Sequence, residues 1–282
     1  KVKKMITALL IFFALILEYV YDPVSSMKNT AVINTTFERF RDLVKNYIDN
    51  KYYVYLLFPI SVIVIYSVII YVTDNYLHEF FSFIINLIVL VYCLKPSEFN
   101  SKIEDLKILK DSKGGDQRFD YFLSSNNKDM IDNIFYNSTR SIFTVFFCFL
   151  VLGPSGSLAF IILDNYIYSK EMKIDQKSKK GLKNIISIVE YIPVRLCSFA
   201  FAVVANFELC SKAWKSSKKE KSLYDLNVTL INAVGISSYK EPENDSEGDR
   251  EEKIIFIQSI IYRTFLSWLS LTGFLIISGV FV

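Results

Sequence analysis

The chain has 282 residues, of which 52% are hydrophobic and 16% aromatic, and its mean hydropathy is +0.30. Its formal net charge is only +3 and it holds one histidine, His78. So small a charge gives no basis for nucleic-acid binding, which needs many phosphate-neutralising cations. A lone histidine nearly excludes a His-based triad or a His-rich metal site within this chain.

The apolar residues come in blocks, as in an integral membrane protein, and not interspersed as in a soluble domain. The first block, Met5 to Val20, follows Lys1, Lys3 and Lys4 and looks like the front of a signal peptide. Glu18, Tyr19, Tyr21 and Asp22 stand where a small-residue cleavage site would be. A retained span or interfacial helix is expected there. Residues 22–52 are polar, and the amphipathic stretch Phe37 to Val44 predicts a helix lying at the membrane surface.

Tyr53 to Thr73 carries no charge over about 21 residues, enough to cross roughly 30 Å of hydrocarbon as a helix. The polar turn Asp74-Asn75-Tyr76 joins it to a second apolar block at 78–94, and Lys95-Pro96 ends the resulting hairpin. His78 and Glu79 fall at the hydrated start of that second block. Residues 96–140 are polar and predict short helices around Gly114-Gly115, a pair without the spacing that cradles phosphate.

Ser141 to Leu163 is uncharged but interrupted by Gly153-Pro154-Ser155-Gly156. Apolar surroundings tolerate such a break only where neighbours satisfy the freed backbone groups, so a kinked span or a re-entrant hairpin is expected. A Lys-rich stretch at 169–184 leads to the apolar block 185–207, which contains Glu190, Pro193 and Arg195. Residues 208–253 read as a polar loop ending in a flexible acidic linker at 240–253. A last span is expected at 264–282, with Arg263 at its edge. The fold expected is therefore all-α and polytopic, one membrane domain over 1–282 with four to six membrane-embedded helices. Lys and Arg in the long loops place those loops in the cytoplasm and the 74–76 turn outside.

Cys93, Cys148, Cys197 and Cys210 form no C-x-x-C pair and read as buried structural thiols. Asn34, Asn137 and Asn227 each begin a glycosylation-type triplet. The Lys clusters at 177–183 and 212–221 suit anionic lipid headgroups. Charges inside apolar blocks are the most informative residues, because each costs several kcal/mol unless it faces a partner or a cavity. Glu18, Glu190 and Arg195 are of this kind. Glu190 and Arg195 lie five apart across Pro193, so they meet only if the helix bends. A polar site and a structural ion pair are both open readings.

The run Glu190-Tyr191-Ile192-Pro193-Val194-Arg195-Leu196 resembles the acidic-Trp-Val-Pro-Val-Arg-Leu signature of the AmpE family of bacterial inner-membrane proteins. Glu208 and Ala213-Trp214 follow at similar spacings. Arg140 leads an apolar span broken by Gly153 and Gly156, and Glu18 ends the N-terminal apolar segment. The resemblance implies a multi-pass protein of the bacterial inner membrane that regulates β-lactamase induction, a process tied to peptidoglycan recycling. It implies no cofactor and no catalytic set. Its partners would be membrane lipids and other membrane proteins, with no nucleic acid. Arg195, Pro193, Glu190, Arg140, Glu18, Glu208 and Trp214 become the candidate functional residues. AmpE is related to CobD/CbiB, an amide-forming membrane enzyme of cobalamin biosynthesis. Here Leu163-Asp164-Asn165-Tyr166 stands in place of that enzyme's Asn-Thr-Leu-Asp run, and Ile186 and Ser187 in place of its acidic residues. The alternatives are an accessory structural subunit of a larger membrane complex and a CobD-like amide-forming enzyme.

Overall fold

Long uncharged runs of Ile, Val, Leu and Phe fold as helices in this computed structural model. It describes residues 10–11, 13–14, 31–48, 50–76, 79–94, 99, 103–104, 133–168, 172, 174–217, 222–238 and 249–278. Every regular element among the described residues is helical. They are α1 (Ala31–Val44), α2 (Lys51–Tyr76), α3 (Glu79–Cys93), α4 (Ile134–Ser138) with a π-helical turn (Thr139–Thr144), α5 (Val145–Tyr168), α6 (Gln176–Val189), α7 (Tyr191–Val204), α8 (Phe207–Ser216), α9 (Leu223–Ser237) and α10 (Asp249–Ser278). The expected all-α class holds. Glu18, His78 and Gly114-Gly115 lie outside the described residues, as does most of 5–20 and 96–140.

The chain forms two compact units, Lys1–Lys95 with Val145–Ile186 and Gly279–Val282, and Pro96–Thr144 with Ser187–Ser278. In the first, α2, α3 and α5 pack on one another. Phe37 of the amphipathic α1 is 2% exposed. It stacks on Tyr55 of α2 at 5.3 Å and meets Tyr166 of α5 edge-on at 5.1 Å. Asn165 Nδ2 donates to Asn34 Oδ1 at 2.7 Å beside this cluster. Between α2 and α3 the Tyr66 hydroxyl donates to Asn86 Oδ1. Tyr66→Phe should cost about 0.6 kcal/mol, the scale of a polar contact between apolar helices. A small drop in the melting temperature of the detergent-solubilised chain would register it. An unchanged melt would mean that packing alone holds the hairpin.

The Gly-Pro-Ser-Gly break resolves into a fold-back. Gly153 has φ 72° and ψ −168°. The Ser157 hydroxyl donates to the Val145 carbonyl at 2.9 Å across 12 residues. Twelve residues of straight helix rise about 18 Å, so this bond requires the chain to double back at Gly153. Pro154 follows directly, where a helix start makes no use of its missing N–H. Gly156 permits the close approach, since a Cβ there would lie 2.4 Å from Leu152 Cβ and 2.9 Å from the Cys148 carbonyl. The 35 residues Ile134–Tyr168 are therefore not one straight rod, which would reach roughly 52 Å. Of the two expected geometries, the hairpin is the one the chain adopts.

In the second unit α9 packs on α4, α7 and α8, and α10 packs on α4 and α7. The approach of α9 to α4 depends on Gly235, where a Cβ would come within 2.2 Å of the Phe135 ring. Phe135 and Phe143 both meet Phe201 of α7, and Phe143 meets Trp268 of α10 at 5.5 Å. Two stretches differ from the sequence reading. Residues 223–237, expected in a polar loop, are the half-apolar helix α9, whose Asn227 and Asn232 side chains turn inward. The last helix begins at Asp249 and not near Thr264. Ile254, Ile257, Ile260, Ile261, Thr264 and Trp268 recur at helical spacing and are buried, whereas Arg263 lies exposed in mid-helix.

Outer faces are apolar. Val64, Ile65 and Val68 of α2 are more than half exposed, as are Phe199 and Val203 of α7 and Leu266, Leu271 and Phe274 of α10. A soluble monomer does not present apolar surface on this scale. Among the described residues Tyr52–Tyr76 and Glu252–Ile276 are long and apolar enough to cross a membrane, as is Ile134–Tyr168 by length and composition although it folds back at Gly153, with a further span if the bent α6–α7 pair counts as one. The chain is an all-α membrane protein.

Candidate functional site: a buried polar cluster

The second unit buries polar groups where a soluble domain would bury leucine. Asn133, Thr139, Ser187, Glu190, Ser198 and Asn227 are all 0% exposed, and Arg140 is 1% exposed. Two helix irregularities shape the cluster. Pro193 cannot donate to the Val189 carbonyl, and its ring clashes with that carbonyl. The helix accordingly breaks at Glu190 with a 53° bend, and Pro193 is left in the first turn of α7, where it is tolerated. Opposite, the π-turn Thr139–Thr144 widens the helix just where Arg140 sits. Such turns are frequent at functional sites.

Tyr136, one turn before Arg140, connects the two irregularities. Its hydroxyl donates to Glu190 Oε2 at 3.1 Å and lies 3.3 Å from Oε1. The Arg140 guanidinium carbon lies 6.0 Å from the centre of the Tyr136 ring, at the limit of cation–π attraction. Behind Tyr136, Asn232 accepts from its backbone N–H at 3.1 Å and donates to Asn133 Oδ1 at 3.0 Å. Arg140, Tyr136 and Glu190 thus form a charged and hydrogen-bonded series across α4, its π-turn and the α6–α7 break.

Arg195 forms a second arm. The helix does bend here, at Glu190, but the bend does not pair Arg195 with Glu190. The guanidinium stacks on Tyr191, 3.3 Å from the ring centre, and donates to the Tyr191 carbonyl at 2.8 Å and Asn227 Oδ1 at 3.1 Å. Asn227 Nδ2 in turn donates to the Ser187 carbonyl at 2.8 Å, satisfying a backbone acceptor next to the break. Arg195 is half-buried while Tyr191 and Ile192 are exposed, so this arm reaches the surface.

The remaining sequence candidates stand elsewhere. Glu208 is exposed on α8 and accepts from Lys212 Nζ at 2.7 Å, which holds its carboxyl below the ordinary range. An exposed pair of this kind contributes little. Trp214 is half-buried on the same helix. The four cysteines are buried, as expected, and burial pushes the Cys210 thiol up. Asn137 and Asn227, read as glycosylation-type triplets, are 3% and 0% exposed, which closes both to modification in the folded chain.

No family model matches the chain, and no curated protein or solved structure does either. Among the described residues no three His, Cys, Asp or Glu side chains gather in a metal-binding arrangement. The cluster links the π-turn and the α6–α7 break through the Tyr136–Glu190 hydrogen bond. Tyr136, Asn227, Asn232 and Asn133 were not singled out as site residues by the sequence. Their only signal was polar residues recurring inside stretches otherwise fit for a core.

Proposed function

We propose that the chain is a non-enzymatic regulatory and interaction protein of the bacterial inner membrane, resembling AmpE and acting in β-lactamase induction through peptidoglycan-recycling signalling. The observation that carries this reading is Glu190. It is a fully buried carboxylate, held by Tyr136 at a proline break, inside a unit whose outer faces are apolar. Buried charge in such surroundings costs several kcal/mol and marks function more often than stability. The residues of the AmpE-like signature converge on this element: Glu190 occupies the break, Pro193 causes it, and Arg195 reaches from it to the surface.

On this reading the Arg195–Tyr191 face is the docking surface, and the Arg140–Tyr136–Glu190 series holds it in position. Arg195→Ala should insert normally yet abolish the induction phenotype. Arg195→Lys should restore it poorly, because a point charge cannot reproduce the stacked guanidinium fork. Unchanged signalling by an inserted Arg195→Ala chain would contradict the assignment.

A further inference from the structure

We propose that the groove between α8 and α9 seats one anionic phospholipid at the membrane interface. Leu209, Ala213, Ala233 and Ile236 line it, with Lys212 and Ser216 toward its rim, and its volume is about 580 Å³. That volume is on the scale of small-molecule sites, roughly 300–1,000 Å³, and the groove is open along one side.

Position argues for a lipid. Ala205 and Asn206 alone separate α8 from α7, the end of the apolar bent pair, so α8 starts where the apolar segment stops. Asn206 caps α8, accepting from the Leu209 N–H at 3.2 Å, and thereby fixes the turn from one helix into the next. Phe207 is 59% and Leu209 37% exposed on this helix. Apolar side chains beside lysines are the composition of a helix lying in an interface.

Chemistry argues for a negative headgroup. The floor of the groove is apolar and suits an acyl chain. Lys212 lines the groove and is exposed, and Lys215 follows one turn on along the same helix. Glu208 engages Lys212, but an exposed i,i+4 pair is worth only a few tenths of a kcal/mol, so a phosphate competes readily for the same ammonium. The exposed side chains of α8 leave a positive balance, Lys212 and Lys215 against Glu208.

The test is native mass spectrometry of the full chain released from nanodiscs of phosphatidylglycerol and phosphatidylcholine in equal parts. The wild type should retain one phosphatidylglycerol with about five-fold preference, the worth of one lysine near an anionic surface. Lys212→Gln should remove the preference, and Ala233→Leu, which fills the floor, should lower retention of either lipid. Circular dichroism and gel filtration confirm that each variant is folded. Equal retention of both lipids by the wild type would overturn the proposal. So would unchanged preference in both variants, or a protein chain displacing lipid from the groove. None of these outcomes bears on the signalling assay of Arg195, so the two readings fail separately.

Discussion

Arg140→Leu should destabilise the detergent-solubilised chain by about 3–5 kcal/mol, the cost of removing one member of a buried charged network. Arg140 is the largest side chain among the fully buried residues. Leucine fills only part of its volume and takes away the charge for which the neighbouring polar groups are arranged. Arg140→Lys should recover little, because an ammonium cannot match the planar guanidinium over the Tyr136 ring. Glu190→Gln should cost about 1–3 kcal/mol, since it removes the charged acceptor to which the Tyr136 hydroxyl donates. The decisive quantity is the double variant. If Arg140, Tyr136 and Glu190 act as one unit, the loss in Arg140→Leu/Glu190→Gln falls short of the summed single losses by about 1 kcal/mol or more. Strict additivity in the unfolding free energies would show two independent polar groups.

Gly153→Ala should cost about 1–3 kcal/mol although a Cβ there meets nothing within 4 Å. The penalty is conformational: φ 72° with ψ −168° is a backbone region used almost only by glycine. The chain has no cheap escape. Pro154 prevents a straight helix from forming through the break, and straightening would sever the Ser157–Val145 bond. Gly273→Ala is the matched control. Gly273 also has open space around its missing Cβ, but lies in an ordinary helical stretch of α10, so alanine should be neutral or stabilising by up to about 1 kcal/mol. Equal melting temperatures for the two variants would refute the hairpin geometry.

Much of the fold was legible because membrane helices announce themselves by uninterrupted apolar runs. The α2 span and the amphipathic α1 were readable on that basis, and the Gly-Pro-Ser-Gly break signalled a departure from a straight rod. Residues whose apolar character is confined to one face were harder. Ile254, Ile257 and Ile261 belong to α10, but the charges at 250–253 and Arg263 led the sequence reading to start the last span only at Thr264. The same applies to α9, whose inward-facing Asn227 and Asn232 lowered its apparent hydrophobicity. Polar content signals a loop in a soluble protein, but inside a membrane unit it signals an interior face.

The site was legible in part. Glu190 and Arg195 stood out as charges in an apolar block, Arg140 entered through the family resemblance, and Pro193 marked the place where a bend would be needed to bring the first two together. The pairing was not readable. Glu190 finds Tyr136, 54 positions earlier in the chain, and Arg195 finds Asn227, 32 positions later. No local spacing encodes contacts of that range, which depend on how α4, α7 and α9 pack.

Purification from native membranes in mild detergent, with mass spectrometry of every chain that comes along, tests the account most directly. The wild-type chain should carry a defined membrane partner at fixed ratio, and Arg195→Ala, recovered at the same level, should arrive without it. Recovery of the partner with Arg195→Ala at the wild-type ratio, or of a wild-type chain with no partner at all, would contradict a role in regulation through the Arg195 face.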